Sequence, residues 1–196
     1  MKAKTLLRYV AGLALAINTA QAQTGPVHIA GAMSNVMWKG ELSGTIDIDT
    51  ISNKSTLFGL GPLENLAGEL LIVEGKIYQS TVLNKEEMKV AETQHAKAPF
   101  FVYANQSDWD EIDLPASVKN LQDLENFINK KTKNTNTPFV FRLEGMIDMA
   151  IIHIVNLPPG TKVSSPGDAH QGKTSYTLIK ETSTIVGFFS RKHQGI

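Results

Sequence analysis

Residues 58–78 read Phe-Gly-Leu-Gly-Pro-Leu-Glu-Asn-Leu-Ala-Gly-Glu-Leu-Leu-Ile-Val-Glu-Gly-Lys-Ile-Tyr, and the second half of this stretch decides the fold class. Leu70 to Val73 is an apolar run, Glu74-Gly75 is a turn pair whose glycine accepts positive φ, and Lys76-Ile77-Tyr78 resumes the pattern. That order predicts a β-hairpin. Working outward, strand signals outnumber helical ones. Pro99 to Ala104 (PFFVYA), Phe139 to Leu143, Met149 to Val155, Tyr176 to Ile179 and Ser183 to Phe189 are short apolar runs, with Pro158-Pro159-Gly160 and Ser165-Pro166-Gly167 as turns. Thr45 to Ile51 (TIDIDTI) alternates in the manner of a half-exposed strand.

Two segments carry helical spacing instead. Between His28 and Leu42 the residues Ile29, Met33, Val36 and Met37 predict a short helix closed by Gly40 or Gly44. From Ser117 a stripe of Val118, Leu121, Leu124, Phe127 and Ile128 predicts a longer one. Ser117 is placed to cap it, and Lys130, Lys131 and Lys133 lie near its negative end. The expected fold class is therefore α+β and rich in strand.

At 196 residues the chain has room for one main core. Nineteen basic and nineteen acidic residues cancel, and no Lys/Arg run exceeds two residues, so no nucleic-acid partner is expected. The absence of cysteine excludes a disulfide, a thiolate nucleophile and a Cys-ligated zinc. Any transition-metal site must draw on five histidines and the carboxylates. Residues 1–22 have another character: Lys2, Lys4 and Arg8, then the apolar run Val10 to Ile17, then Ala20-Gln21-Ala22. This pattern predicts a cleaved secretory signal, leaving residues 23–196 as an exported mature domain, periplasmic or secreted. The apolar run is far short of the roughly 20 residues that cross a bilayer, so no membrane association is expected after cleavage. Removing the leader's three basic residues leaves a mildly acidic mature chain.

Three blocks, taken in order, resemble the α-acetolactate decarboxylase family. Phe58-Gly59-Leu60-Gly61, continuing through Asn65-Leu66-Ala67-Gly68-Glu69-Leu70 to Glu74-Gly75-Lys76-Ile77-Tyr78, is similar to its G-L-G-T-F-x-x-L-D-G-E-(M/L) stretch and following D-G-x-x-Y turn. Thr137-Pro138-Phe139 with Phe141-Arg142-Leu143-Glu144-Gly145 is similar to N-P-F-Y-A-I-R-(I/V)-(D/E)-G, and Thr184-Ile185-Val186-Gly187-Phe188 to G-T-I-V-G-F. The resemblance implies a carboxy-lyase that converts 2-acetolactate to acetoin and carbon dioxide in acetoin biosynthesis. It implies a mixed β-sheet lobe joined to a β-barrel lobe, with a zinc ion between them held by three histidines, and it is compatible with a homodimer.

Glu69 falls on the family's L-D-G-E glutamate and Arg142 on its I-R-x-(D/E)-G arginine. The resemblance makes these two the expected catalytic residues, pointing into one cleft: a carboxyl group to shuttle a proton and a guanidinium to hold the substrate's carboxylate. The ordinary reading of Arg142 is an edge-strand arginine paired with Glu144 or Glu41. The family's following K-T-R-(T/S)-V-P segment is replaced by Ile151-Ile152-His153-Ile154-Val155-Asn156-Leu157-Pro158, which sets His153 or Val155 where a second arginine is expected. No His-x-His occurs; His28, His95, His153, His170 and His193 are isolated, with His153 and His170 the least implausible substitutes. The expectation is thus a C-terminally truncated member, with an incomplete barrel, that assigns no metal ligands, holds zinc weakly and is inactive as given. The alternative is an exported, non-catalytic small-molecule-binding or scaffold protein.

Overall fold

The computed structural model describes residues 27–51, 55–133, 135–192 and 194–195, together with the backbone of residues 14–17. In chain order the strands are β1 (Ala14–Ile17), β2 (His28–Gly31), β3 (Ile46–Asp47), β4 (Leu57–Pro62), β5 (Glu69–Val73), β6 (Lys76–Val82), β7 (Met88–Thr93), β8 (Lys97–Ala98), β9 (Phe100–Asn105), β10 (Glu111–Asp113), β11 (Phe139–Val155) and β12 (Lys173–Phe189). The helices are α1 (Met33–Lys39), α2 (Leu121–Lys131) and α3 (Pro166–His170). Apart from the backbone of β1, the leader segment lies outside the described residues.

The expected hairpin is β5–β6. Its two turn residues both adopt left-handed backbone, Glu74 at φ 53° and Gly75 at φ 79°, the conformation that lets a two-residue turn follow the strands' twist. The hairpin sits within a six-stranded sheet of order β2-β9-β4-β5-β6-β7. Period-2 alternation gives this sheet two buried faces. On one, Leu57, Leu70, Ile72, Ile77 and Phe101 pack with Ile48, Ala96 and Ala98. On the other, Phe58 and Ala104 meet Val140 and Val186 of the β11–β12 ribbon. Every pairing described is antiparallel, where the resemblance implies a mixed sheet. A second sheet, among the described residues, has four strands in the order β10-β1-β11-β12.

Four local expectations are corrected. Thr45 to Ile51 is a two-residue strand followed by a 3-10 turn, because Asp47 and Thr50 spend their polar groups on the turn's own backbone. His28 to Gly31 is a strand on Phe100–Tyr103, so the first helix is only Met33–Lys39, ending on Gly40 in the left-handed conformation. The longer helix starts later than Ser117: Asn120 caps it by accepting from the Asp123 N–H at 3.0 Å. Met149 to Val155 does not start a new strand, since β11 and β12 run in unbroken register from Phe139↔Phe189 to Val155↔Lys173. The pairing skips Asp148 and Lys180 without changing register, Lys180 taking φ 54° there and Gly145 φ 152°.

Candidate functional site

The segment before β5 is a strained loop pinned at several points. Asn65 and Leu66 hold left-handed backbone, at φ 62° and 51°. The Asn65 N–H donates to the Leu42 carbonyl at 2.8 Å, and the Glu64 carboxylate accepts from the Gly44 N–H at 2.8 Å. The Leu157 N–H donates to the Leu66 carbonyl at 2.8 Å, and Ala67 bridges to Asn156. Gly68 then passes so close to β6 that a Cβ there would lie 2.4 Å from the Ser80 carbonyl oxygen, and its φ of 141° suits glycine alone. This explains the glycine of the L-A-G-E motif. Together these contacts zip the loop onto the end of β11 and fix where the next residue points.

That residue is Glu69, on the face of the sheet turned toward β11. Its carboxylate accepts a hydrogen bond from the Val155 N–H at 3.1 Å. Burial disfavours the charged form more than this single bond favours it, and the pKa is pushed up to about 7. The carboxyl group lines a cleft of about 400 Å³ whose walls are apolar: Met37 of α1, Leu60 and Pro62 of β4, Leu66, Leu70, Phe100 and Val155. His153 and His170 line the same cleft. Both are exposed at its mouth. His153 Nδ1 is 2.9 Å from Ser175 Oγ across the ribbon. His170 ends α3, which starts with Ser165 accepting from the Asp168 N–H and anchors itself by the buried Ala169.

Arg142 is placed elsewhere. Its Nη1 donates to Glu74 Oε1 at 2.6 Å, and its Nη2 donates to Glu144. It does not line the Glu69 cleft. Glu69 opens β5 and Glu74 follows its last residue, so the two sites lie about 16 Å apart along that strand at roughly 3.3 Å per residue. The structure therefore brings Glu69 together with His153 and His170, and it does not bring Arg142 to them. The Glu144 pairing matches the ordinary reading of that arginine, whereas the second partner is Glu74 rather than Glu41.

Among the described residues no three His, Asp or Glu side chains converge to hold a metal ion. His28 stacks on Tyr103 with ring centres 5.0 Å apart, His95 is paired to Asp49, and His193 lies outside the described residues. The described residues do not fit a three-ligand zinc centre. What the cleft does offer is a carboxyl group that exchanges its proton near neutrality, two imidazoles at the entrance and largely apolar walls. The sequence carried a signal for Glu69 in the L-A-G-E motif. It carried none for the Met37 and Phe100 walls or for Ser175, because these converge only through the packing of α1, β9 and β12.

The sequence matches the alpha-acetolactate decarboxylase family over residues 30–195. Comparison with curated proteins gave no match. Among solved structures, the acetolactate decarboxylase of Bacillus subtilis subspecies spizizenii superposes with a TM-score of 0.73 at 20% identity, over 87% of this chain and 71% of that one. The alpha-acetolactate decarboxylase of Bacillus subtilis strain 168 gives 0.68 at 19% identity, over 87% and 70%. A Staphylococcus aureus protein of unknown function, described as similar to alpha-acetolactate decarboxylase, gives 0.64 at 18% identity, over 84% and 67%. At these identities the likeness is one of fold, while the family match spans most of the sequence. The chain belongs to the alpha-acetolactate decarboxylase family.

Proposed function

We propose that this protein is an acetolactate decarboxylase-like binder of a short 2-hydroxy-3-oxo acid, held in the Glu69 cleft, and that the 196-residue chain alone does not turn it over. The observation that carries the reading is a half-buried glutamate with a pKa near 7 in an apolar cleft sized for a small ligand. At neutral pH such a group is present in both forms, so it can donate to a ligand oxygen or accept from a ligand hydroxyl. The walls formed by Leu60, Leu66 and Phe100 suit the methyl groups of a branched acid.

Loss of carbon dioxide from 2-acetolactate leaves an enediolate, whose charge must be met by a Lewis acid or by several fixed donors. Among the described residues lining the cleft, the side chains able to donate are Glu69 when protonated and the two histidines. This supports binding without measurable turnover. Purified protein supplied with zinc and racemic 2-acetolactate is expected to release acetoin no faster than buffer. Zinc-dependent acetoin formation abolished by Glu69→Gln would replace this reading with that of a working decarboxylase.

Export of residues 23–196 is part of the same proposal, supported by the basic, apolar and small-residue order of the leader. The mass of protein recovered from a secreting host tests it. We also propose that a second copy covers the middle of the β11–β12 ribbon, where Met146, Met149, Ile151 and Ile179 face solvent.

A further inference from the structure

We propose that His153 and His170, rather than Arg142, hold the carboxylate of the acid bound beside Glu69. The inference rests on the cleft being a small-acid site and assigns the residues that select for the acid's charge.

Three observations carry it. First, the two histidines come from different elements, β11 and α3, and line one cleft from its mouth. Second, Glu69 is half-buried in that cleft while both histidines are exposed, so the carboxyl and the imidazoles sit at different depths. Groups that share a cleft but not a single point suit a ligand several atoms long, with hydroxyl and keto oxygens at one end and a carboxylate at the other. Third, the arginine that could compete for the carboxylate already has Glu74 and Glu144 on its guanidinium, so an added anion there would meet two negative charges.

The imidazole chemistry fits the task. Ser175 occupies His153 Nδ1, and when its hydroxyl donates, the remaining proton lies on Nε2. Both this tautomer and the imidazolium therefore present an Nε2–H donor. The ionisable side chains lining the cleft are Glu69 from β5, His153 from β11 and His170 from α3. The other lining elements, α1, β4 and β9, contribute Met37, Leu60, Gly61, Pro62 and Phe100, none of which titrates. Beyond the lining, β12 sets Lys173 one position of the same face away from Ser175. An anion enters most readily when Glu69 is neutral, so binding should strengthen as pH falls from 8 to 6.

The test uses the 196-residue protein and two probes measured by calorimetry. One is 2,3-dihydroxy-2-methylbutanoate, a reduced analogue of 2-acetolactate that has no keto group to drive decarboxylation; the other is its uncharged methyl ester. The acid is expected to bind wild type at pH 6 and at least tenfold more weakly at pH 8. His153→Gln and His170→Gln should each weaken the acid at pH 6 by about tenfold and leave the ester unchanged, while Arg142→Gln should leave the acid's affinity intact. In wild type, the two histidine ring signals in proton NMR should move on addition of the acid and stay in place on addition of the ester, which a merely structural role would not produce. Acid binding that survives both histidine substitutions but falls with Glu69→Gln would overturn this inference and keep the cleft. Loss of acid binding in Arg142→Gln, with thermal unfolding unchanged, would return the carboxylate to that arginine. Failure of wild type to bind either probe would remove both the inference and the reading beneath it.

Discussion

Glu69 binds its proton more tightly in the folded chain than in the unfolded one, where a glutamate titrates near 4.5 rather than about 7. The folded state therefore holds more protons across that window, and stability falls as pH rises through it. The contribution is fully present below about pH 4.5 and is lost above pH 7, amounting to about 3 kcal/mol at 1.36 kcal/mol per pH unit. Glu69→Gln keeps an oxygen for the Val155 N–H and cannot ionise. It is expected to match wild type at pH 4 and to exceed it by up to about 3 kcal/mol at pH 8, read from urea midpoints at pH 4, 6 and 8. Equal pH dependence in the two proteins would show that burial does not shift this carboxyl. Arg142 has the opposite profile. Its side chain is 24% exposed and those of Glu74 and Glu144 are 56% and 52% exposed, so the pairs lie near solvent. Arg142→Gln should cost less than about 1 kcal/mol in the same assay. Both residues stand out in sequence motifs, yet the motif alone does not separate a proton-exchanging carboxyl from a surface ion pair. Burial makes that distinction, and it depends on side chains far away in sequence.

The elements divide along similar lines. The β5–β6 hairpin was legible because turn and strands are encoded within nine residues, and the Phe100–Asn105 strand because its apolar run is continuous. The helix from Leu121 was legible in its stripe but not in its start. Ser117 and Asn120 are both capping types, and only the Asn120 carboxamide reaches the Asp123 N–H, while Asp123 in turn accepts from the Lys119 N–H at 3.0 Å. Asn120→Ala should lower stability by about 1 kcal/mol, and Ser117→Ala should change it by a few tenths at most. Thermal melts of the two variants decide between the caps; a larger loss for Ser117→Ala would contradict the assignment. The length of β11 and β12 was not legible, because a glycine at 145 and polar residues around 180 look like interruptions. Cross-strand pairing overrides them. The glycine of Thr-Ile-Val-Gly-Phe has a packing role in that ribbon: a Cβ on Gly187 would lie 2.3 Å from the ring of Phe141, its partner in register. Gly187→Val should therefore displace the Phe141 ring and destabilise the ribbon by 1 to 3 kcal/mol, roughly the range for overpacking.

At the scale of the molecule, two sheets meet through Phe58, Ala104, Val140 and Val186, and the Glu69 cleft lies beside that contact where the ribbon's last residues meet the loop before β5. The middle of the ribbon shows Met149 and Ile179 to solvent, 66% and 64% exposed and directly opposite each other. Sedimentation is expected to find a dimer that Met149→Asp with Ile179→Asp converts to monomer; a wild-type monomer would remove the second copy from the account. The overall family and α+β class were legible because three motifs keep their order across about 130 residues. The site's membership was not, since it is assembled from α1, β4, β5, β9, β11 and α3. The most direct check on that assembly is a crystal structure of the 196-residue protein grown at pH 6 with 2,3-dihydroxy-2-methylbutanoate. The account predicts the acid between β5 and the end of β11, its hydroxyls at the Glu69 carboxyl and its carboxylate at His153 and His170. The acid seated on Arg142, or a cleft in which Glu69 turns out to solvent, would contradict it.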